Sequence, residues 1–185
     1  MRDPEATRRR LLQAGTAEFA AHGIAGARVD RIAETAGCNK QSIYGHFGSK
    51  EGLFDAVYDD MVVQTMSSVH FDVGDLPAYA ARLFDWYCAH PEVLRLAIWQ
   101  QLERGPAGAY SDTTAAVSQE KVERIRAAQQ AGTVDAALPA EVLLLLIVRL
   151  STVQLDMAAM NGAQGDALRT ATVEAVRRLV ALPVS

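Results

Sequence analysis

Val29-Asp30-Arg31-Ile32-Ala33-Glu34-Thr35-Ala36-Gly37-Cys38-Asn39-Lys40-Gln41-Ser42-Ile43-Tyr44-Gly45-His46-Phe47-Gly48-Ser49-Lys50 is the stretch whose reading decides the fold. Val29, Ile32, Ala33 and Ala36 fall at i, i+3, i+4 and i+7, a single apolar stripe on a helix of about two turns. Gly37 supplies the left-handed residue that ends such a helix. Asn39 can cap the next helix through its side-chain oxygen, with Ser42 three residues on. That second helix buries Ile43 and Phe47, one turn apart, and leaves Gln41, Ser42, Tyr44 and Gly45 on its outer face with Lys40 at its amino end. Two short helices about a glycine turn, the second ending in a polar and aromatic cluster that packing alone does not require, read as helix-turn-helix. Lys and Gln reach base edges in a major groove, and Ser and Tyr hydroxyls bond phosphate oxygens. A recognition helix enters the groove by its first residues, here Asn39 to Ser42.

The charge distribution fits that reading. The 185 residues carry a net charge of −4, which looks wrong for a DNA binder until it is divided. Residues 1–50 hold eight Lys/Arg against five Asp/Glu, and the remainder holds ten against seventeen. The basic excess is confined to the module that would face phosphate, and the acidic remainder should stay off it. Half the residues are apolar, enough for a true core. No apolar run reaches bilayer length and the amino end is charged, so a soluble, cytoplasmic protein is expected. Cys38 and Cys88 show neither metal spacing nor a disulfide framework. No nucleophile elbow, phosphate-binding glycine loop, Cys-x-x-Cys or His-Glu-x-x-His motif occurs, and His22, His46, His70 and His90 are scattered. No catalytic residue, metal ligand or cofactor site is therefore assigned.

Around the central stretch the chain reads as helices throughout. Asp3 can cap a first helix with Pro4 at its first position; Leu11, Leu12, Phe19 and Ala20 form its buried side, and Gly23 ends it. Thr7 and the run Arg8-Arg9-Arg10 read either as phosphate contacts or as a solvated face. Arg28, at the entrance of the second helix, could reach a phosphate or a groove edge, and His46 either contacts a phosphate or packs at the end of the reading helix. Ser49 is a plausible cap for a long helix from about Lys50 to Val69, the element that would join the reader to the rest of the chain. Residues 70–77 read as a connector. Helices are expected at about 77–89, 91–104, 111–131, 139–160 and 166–181, marked by Pro91, Gly105-Pro106, Gly132, Pro139 and a loop at Gly162 to Gly165. The expected fold is all-α, about nine helices: a DNA-binding domain over residues 1–50 and a larger domain over 51–185.

The chain resembles the tetracycline-repressor (TetR/AcrR) family of bacterial regulators. The matching residues are Phe19-Ala20-x-x-Gly23, Val29-x-x-Ile32-Ala33-x-x-Ala36-Gly37 and Ile43-Tyr44-x-His46-Phe47-x-Ser49-Lys50-Glu51-x-Leu53. They cover roughly residues 5–55. Three positions depart: Arg28 stands where a Ser or Thr cap is usual, Cys38 replaces a common Val, and Gly45 fills a place often held by a larger residue. The resemblance implies an operator-binding regulator with a small-molecule effector, and makes Lys50 similar to the family's phosphate-contacting lysine.

Two features of the larger half bear on that implication. Val142 to Val148 is apolar all round, so one side is expected to meet a second subunit, although a wholly intramolecular core also suits it. With the last helix it reads as half of a four-helix dimer bundle, which is also how the family dimerises; the candidates are Leu143, Leu146, Ile147, Leu150, Val173, Val176 and Val180. Large side chains concentrate from residue 58 to residue 110. Met61, Met66, His70, Phe84, Tyr87, Cys88, Trp99, Leu102 and Tyr110 are candidates for an effector pocket, although each also suits a plain core. A homodimeric repressor released from a palindromic operator by an effector is the expected function. A chromosome-organising or division-organising DNA binder without an effector, and a helical enzyme or ligand carrier, fit the same residues.

Overall fold

The computed structural model describes residues 3–104, 112–153 and 165–182, and only the backbone of 112–114. Among these residues the chain forms α-helices, a short 3-10 turn at Val73–Asp75, 3-10 geometry again at Val153, and no strand. The helices are α1 (Pro4–Gly26), α2 (Val29–Thr35), α3 (Lys40–Phe47), α4 (Lys50–Ser68), α5 (Leu76–Ala89), α6 (Pro91–Arg104), α7 (Asp112–Gln130), α8 (Ala140–Leu150) and α9 (Gly165–Val180). This is the all-helical architecture expected.

The local signals act where the sequence puts them. Asp3 accepts from the Glu5 N–H at 3.0 Å, with Pro4 behind it. Asn39 Oδ1 accepts from the Ser42 N–H at 2.9 Å, and Ser49 Oγ from the Gly52 N–H at 2.9 Å. These bonds satisfy amide groups that a helix start leaves without partners. Gly37 takes φ 64°, the left-handed turn a side chain would resist. Helical geometry breaks within α1 at Gly23 (φ 69°, ψ −179°). A Cβ there would lie 2.5 Å from Glu103 Oε1 and 2.9 Å from the Trp99 ring.

The chain divides into two compact units, Met1–Gln64 with Pro91–Ser111, and Thr65–His90 with Asp112–Ser185. The first unit packs Leu11, Phe19, Ile32, Ile43, Leu53 and Phe54, each fully buried, in one core. Phe19 and Phe54 meet edge to face with centroids 5.2 Å apart, a favoured arrangement of ring quadrupoles. Leu96 joins this core, so α6 belongs with the reader helices despite its distance in sequence. The second unit gathers Leu76, Tyr79, Ile125, Leu143, Ile147 and Val176.

The helix expected over 139–160 is shorter. It stops at Leu150, where Ser151, fully buried, donates its hydroxyl to Ile147 O at 2.9 Å and Ala80 O at 3.2 Å. That hydroxyl bonds the carbonyl four residues back, and residues 151–153 tighten into a turn in place of further α-helix. The remainder of the expected span, like residues 162–164 of the expected loop, lies outside the described residues.

Candidate nucleic-acid interface

Ile43 anchors the reading helix. It is fully buried beneath α3, and such burial stabilises by about 1.5–3 kcal/mol. With Ile43 pointing in, Lys40, Gln41, Tyr44, Gly45 and His46 are left exposed and Ser42 partly so. Tyr44 keeps 46% of its surface open, a large apolar ring that the core does not use. A Cβ at Gly45 would meet nothing within 4 Å, so the centre of this outer face is bare backbone.

Lys40 Nζ lies 3.0 Å from Asp30 Oδ1, a pair between the first residue of α3 and the first turn of α2. The hydrogen bond to Asp30, and then its charge, hold the Lys40 ammonium above the ordinary lysine range. Both partners are exposed, and pairs of this kind contribute at most about 1 kcal/mol. Lys40 is thus oriented without being locked.

The entry to α2 is held from outside. Arg28 makes no side-chain cap. Instead Glu18 of α1 accepts the Arg28 N–H at 2.8 Å, the role a glutamate inside the helix's first turn would otherwise play. The same carboxylate pairs with Arg31 at 2.5 Å. Burial raises the Glu18 pKa, but the Arg31 hydrogen bond, the Arg28 N–H and the Arg31 charge outweigh it and hold the group below its usual range. From α6, Glu103 accepts the N–H groups of Ile24 and Ala25 at 2.8 Å each, and Trp99 donates to Ala20 O at 3.4 Å. The turn leading into α2 is therefore fixed by two carboxylates that lie 10 and at least 78 residues from the amides they meet, which sequence spacing does not announce.

The other sequence candidates fall as follows. Thr7 is buried and donates its hydroxyl to Asp3 O at 3.1 Å. Lys50 Nζ donates to Ala25 O at 3.3 Å and Ala27 O at 3.4 Å. Arg28 is exposed. Thr7, Ser42 and His46 come together with Pro4, Arg10 and Cys38 around a cleft of about 220 Å³. Arg10, which donates to Thr7 Oγ1 at 3.4 Å, brings its charge to that cleft, and the start of α1 and the reading helix form its two sides.

Of the pocket candidates, Met61, Trp99 and Leu102 belong to the first unit and Met66, His70, Phe84, Tyr87 and Cys88 to the second; Tyr110 lies outside the described residues. Phe84 is buried, Met61, Met66, Trp99 and Tyr87 are partly so, and His70, Cys88 and Leu102 are exposed. Burial, against the opposing charge of Arg149, pushes the Tyr87 phenol up to about 12. Burial and then Asp85 raise the Cys88 thiol. Of the dimer candidates, Leu143, Ile147 and Val176 are wholly covered by their own chain, and Leu146, Leu150, Val173 and Val180 are half-covered. Val142 and Leu145 keep 40% and 54% of their surface open.

Among the described residues no group of three or more His, Cys, Asp and Glu could hold a metal, and no helix is long and apolar enough to cross a membrane. A capped reading helix with a buried root and an exposed polar face, set against a second helix over a common core, defines a helix-turn-helix DNA-binding protein. Two family models match the chain, bacterial regulatory proteins of the tetR family over residues 11–57 and the tetracyclin repressor-like C-terminal domain over 75–178. It is 40% identical to the HTH-type transcriptional repressor SCO4008 of Streptomyces coelicolor, across 97% of both chains. It is 31% identical to the HTH-type transcriptional repressor NicS of Pseudomonas putida, over 68% of this chain and 63% of that one. The crystal structure of SCO4942 from Streptomyces coelicolor, described as a transcriptional regulator, superposes with a TM-score of 0.82 at 36% identity, covering 96% of this chain and 99% of that one. The chain belongs to the tetR family of bacterial regulatory proteins and is a DNA-binding transcriptional regulator.

Proposed function

We propose that the protein is a homodimeric, cytoplasmic repressor that binds a palindromic operator and leaves it when a small molecule binds the second unit. The observation that carries this reading is the exposed face of α3. Lys40 and Gln41 offer donors for base edges, and Tyr44 adds a hydroxyl and an apolar ring. Arg10, Ser42 and His46 around the neighbouring cleft suit a backbone phosphate, which would fix the register of the helix without reading sequence. Lys50 and Thr7, committed to backbone carbonyls, support the reader from behind in this reading, and Arg28 extends the basic rim.

Dimerisation is proposed through the exposed side of α8. Val142, Leu145 and Leu146 form an apolar stripe at helical spacing, with Leu150, Val173 and Val180 beside it and Leu143, Ile147 and Val176 as its floor. Two readers about 34–36 Å apart would then address successive major grooves. An effector that prefers a dimer with another reader spacing releases the operator by population shift, by no more than its differential affinity for the two forms. The relatives named as repressors support the sign of regulation. Sedimentation of Leu145→Glu tests the assembly: a folded monomer with weakened binding to a palindromic duplex is expected, and an unchanged dimer would refute the proposed face.

A further inference from the structure

Within the second unit, two cations converge on one aromatic pair, and among the described residues no carboxylate forms an ion pair with either. Phe71 and Tyr79, both buried, stand edge to face with centroids 4.9 Å apart. Lys121 Nζ, on α7, is 5.7 Å from the centre of the Phe71 ring and 5.2 Å from that of Tyr79. Arg124, one turn further along, places its guanidinium 4.8 Å from the Phe71 centre and donates to Phe71 O at 3.3 Å. Glu120, next to Lys121 in sequence, acts on it only as a nearby charge.

Lys121 is half-buried, and among the described residues its one hydrogen bond is to Tyr79 Oη at 2.9 Å. An ammonium has three N–H donors, so two are left over; the Tyr79 hydroxyl, accepting from Lys121, keeps its own hydrogen to give. Arg82 stands close enough for its charge to act on Tyr79, and its Nη2 is buried without a hydrogen-bond partner. Burial, above all, holds the Lys121 ammonium below the ordinary lysine range, with Arg124 adding to it. Partly desolvated charge without a counter-charge is destabilising, and aromatic faces compensate only part of it. Left-over donors on the half-buried Lys121 ammonium, the Tyr79 phenol and the exposed Arg124 guanidinium match the acceptors of one oxyanion.

We infer that Lys121, Arg124 and the Tyr79 hydroxyl form a binding site for the anionic group of a small organic acid, a carboxylate or a phosphate monoester. The effector proposed above is then an acid; the site itself follows from the side chains, and only its regulatory meaning rests on that reading. An anion there pairs with both cations and accepts from the Lys121 donors that the Tyr79 hydroxyl does not take.

The test uses the full chain at constant ionic strength, with butyrate, benzoate, inorganic phosphate and phenyl phosphate titrated calorimetrically beside the neutral benzamide. Saturable binding of an acid is expected, weakened by about tenfold or more in Lys121→Met, as loss of a charge-assisted hydrogen bond implies. A smaller loss is expected in Tyr79→Phe, which keeps the ring, and none in Arg126→Gln on the same helix. Carboxylate against phosphate preference identifies the anion. Absence of saturation, equal binding in Lys121→Met, or equal binding of benzamide would overturn the site. Acids that bind at Lys121 yet leave affinity for a duplex selected from random sequence unchanged would uphold the site and sink the effector reading. A neutral molecule that releases DNA while no acid binds would do the reverse.

Discussion

Lys40 on the reading helix and Lys121 in the second unit are handled in opposite ways. Lys40 is exposed, meets Asp30 at 3.0 Å and is held above the ordinary lysine range by that hydrogen bond. Lys121 is half-buried, meets a phenol and two rings, and is held below that range chiefly by its burial, with Arg124 adding to it against the nearby Glu120 charge. The first charge is parked on a weak partner in water, where exchange for a base edge loses little. In the proposed reading the first belongs to a surface that must let go of its partner, and the second to a site where a ligand's counter-charge is favoured.

That contrast requires first that the reader be rooted. Ile43→Ala removes a fully buried side chain and is expected to destabilise by about 2–5 kcal/mol in urea unfolding, with loss of all DNA binding. A loss under about 1 kcal/mol would mean that α3 is not anchored there. Asn39→Ala removes the cap that accepts the Ser42 N–H and is expected to lower stability by about 1 kcal/mol. Melting curves that coincide with wild type would leave the cap without a role.

Acid acts on the reader's supports. The Glu18 carboxyl sits below its usual range, so its stabilising contribution is present above the ordinary glutamate pKa of about 4.3 and is lost as pH falls through the lowered folded value. Glu18→Gln should flatten the acid side of the stability curve; an unaltered acid limb would show that the Arg28 and Arg31 bonds contribute nothing net. The smallest expected effect is that of Asp30→Asn. Stability should move by less than about 0.5 kcal/mol, while affinity for unrelated duplexes rises and its salt dependence steepens by about one counterion. Weaker binding would instead make Asp30 a necessary support for Lys40.

The reader was legible because its determinants are local. The i, i+3, i+4, i+7 stripe from Val29, the turn at Gly37 and the caps at Asp3, Asn39 and Ser49 each act within a few residues, and each stands as read. What escaped is long-range. Glu18 standing in for a cap at Arg28, Glu103 on the Ile24 and Ala25 amides, and Lys50 turned to the Ala25 and Ala27 carbonyls join residues 10 to 79 positions apart. The length of α8 has no local mark: it stops at Leu150, where the Ser151 hydroxyl meets Ala80 O, 71 residues away in sequence. In the second unit the apolar run showed that something must be buried, yet not which side: Leu143 and Ile147 go inward while Val142 and Leu145 stay open. Lys121 and Arg124 drew no notice in sequence, because only the fold brings Phe71 and Tyr79 to them.

In the proposed mode of DNA recognition Lys40 reads base edges from an exposed face, and anisotropy titration tests this directly. Wild type and Lys40→Ala are compared on a duplex the protein itself selects from random sequence and on a scrambled duplex of the same composition. A loss of about 1–3 kcal/mol is expected on the selected duplex, with little change on the scrambled one. Equal losses on both would reduce Lys40 to a phosphate contact, and no loss on either would remove it from the interface.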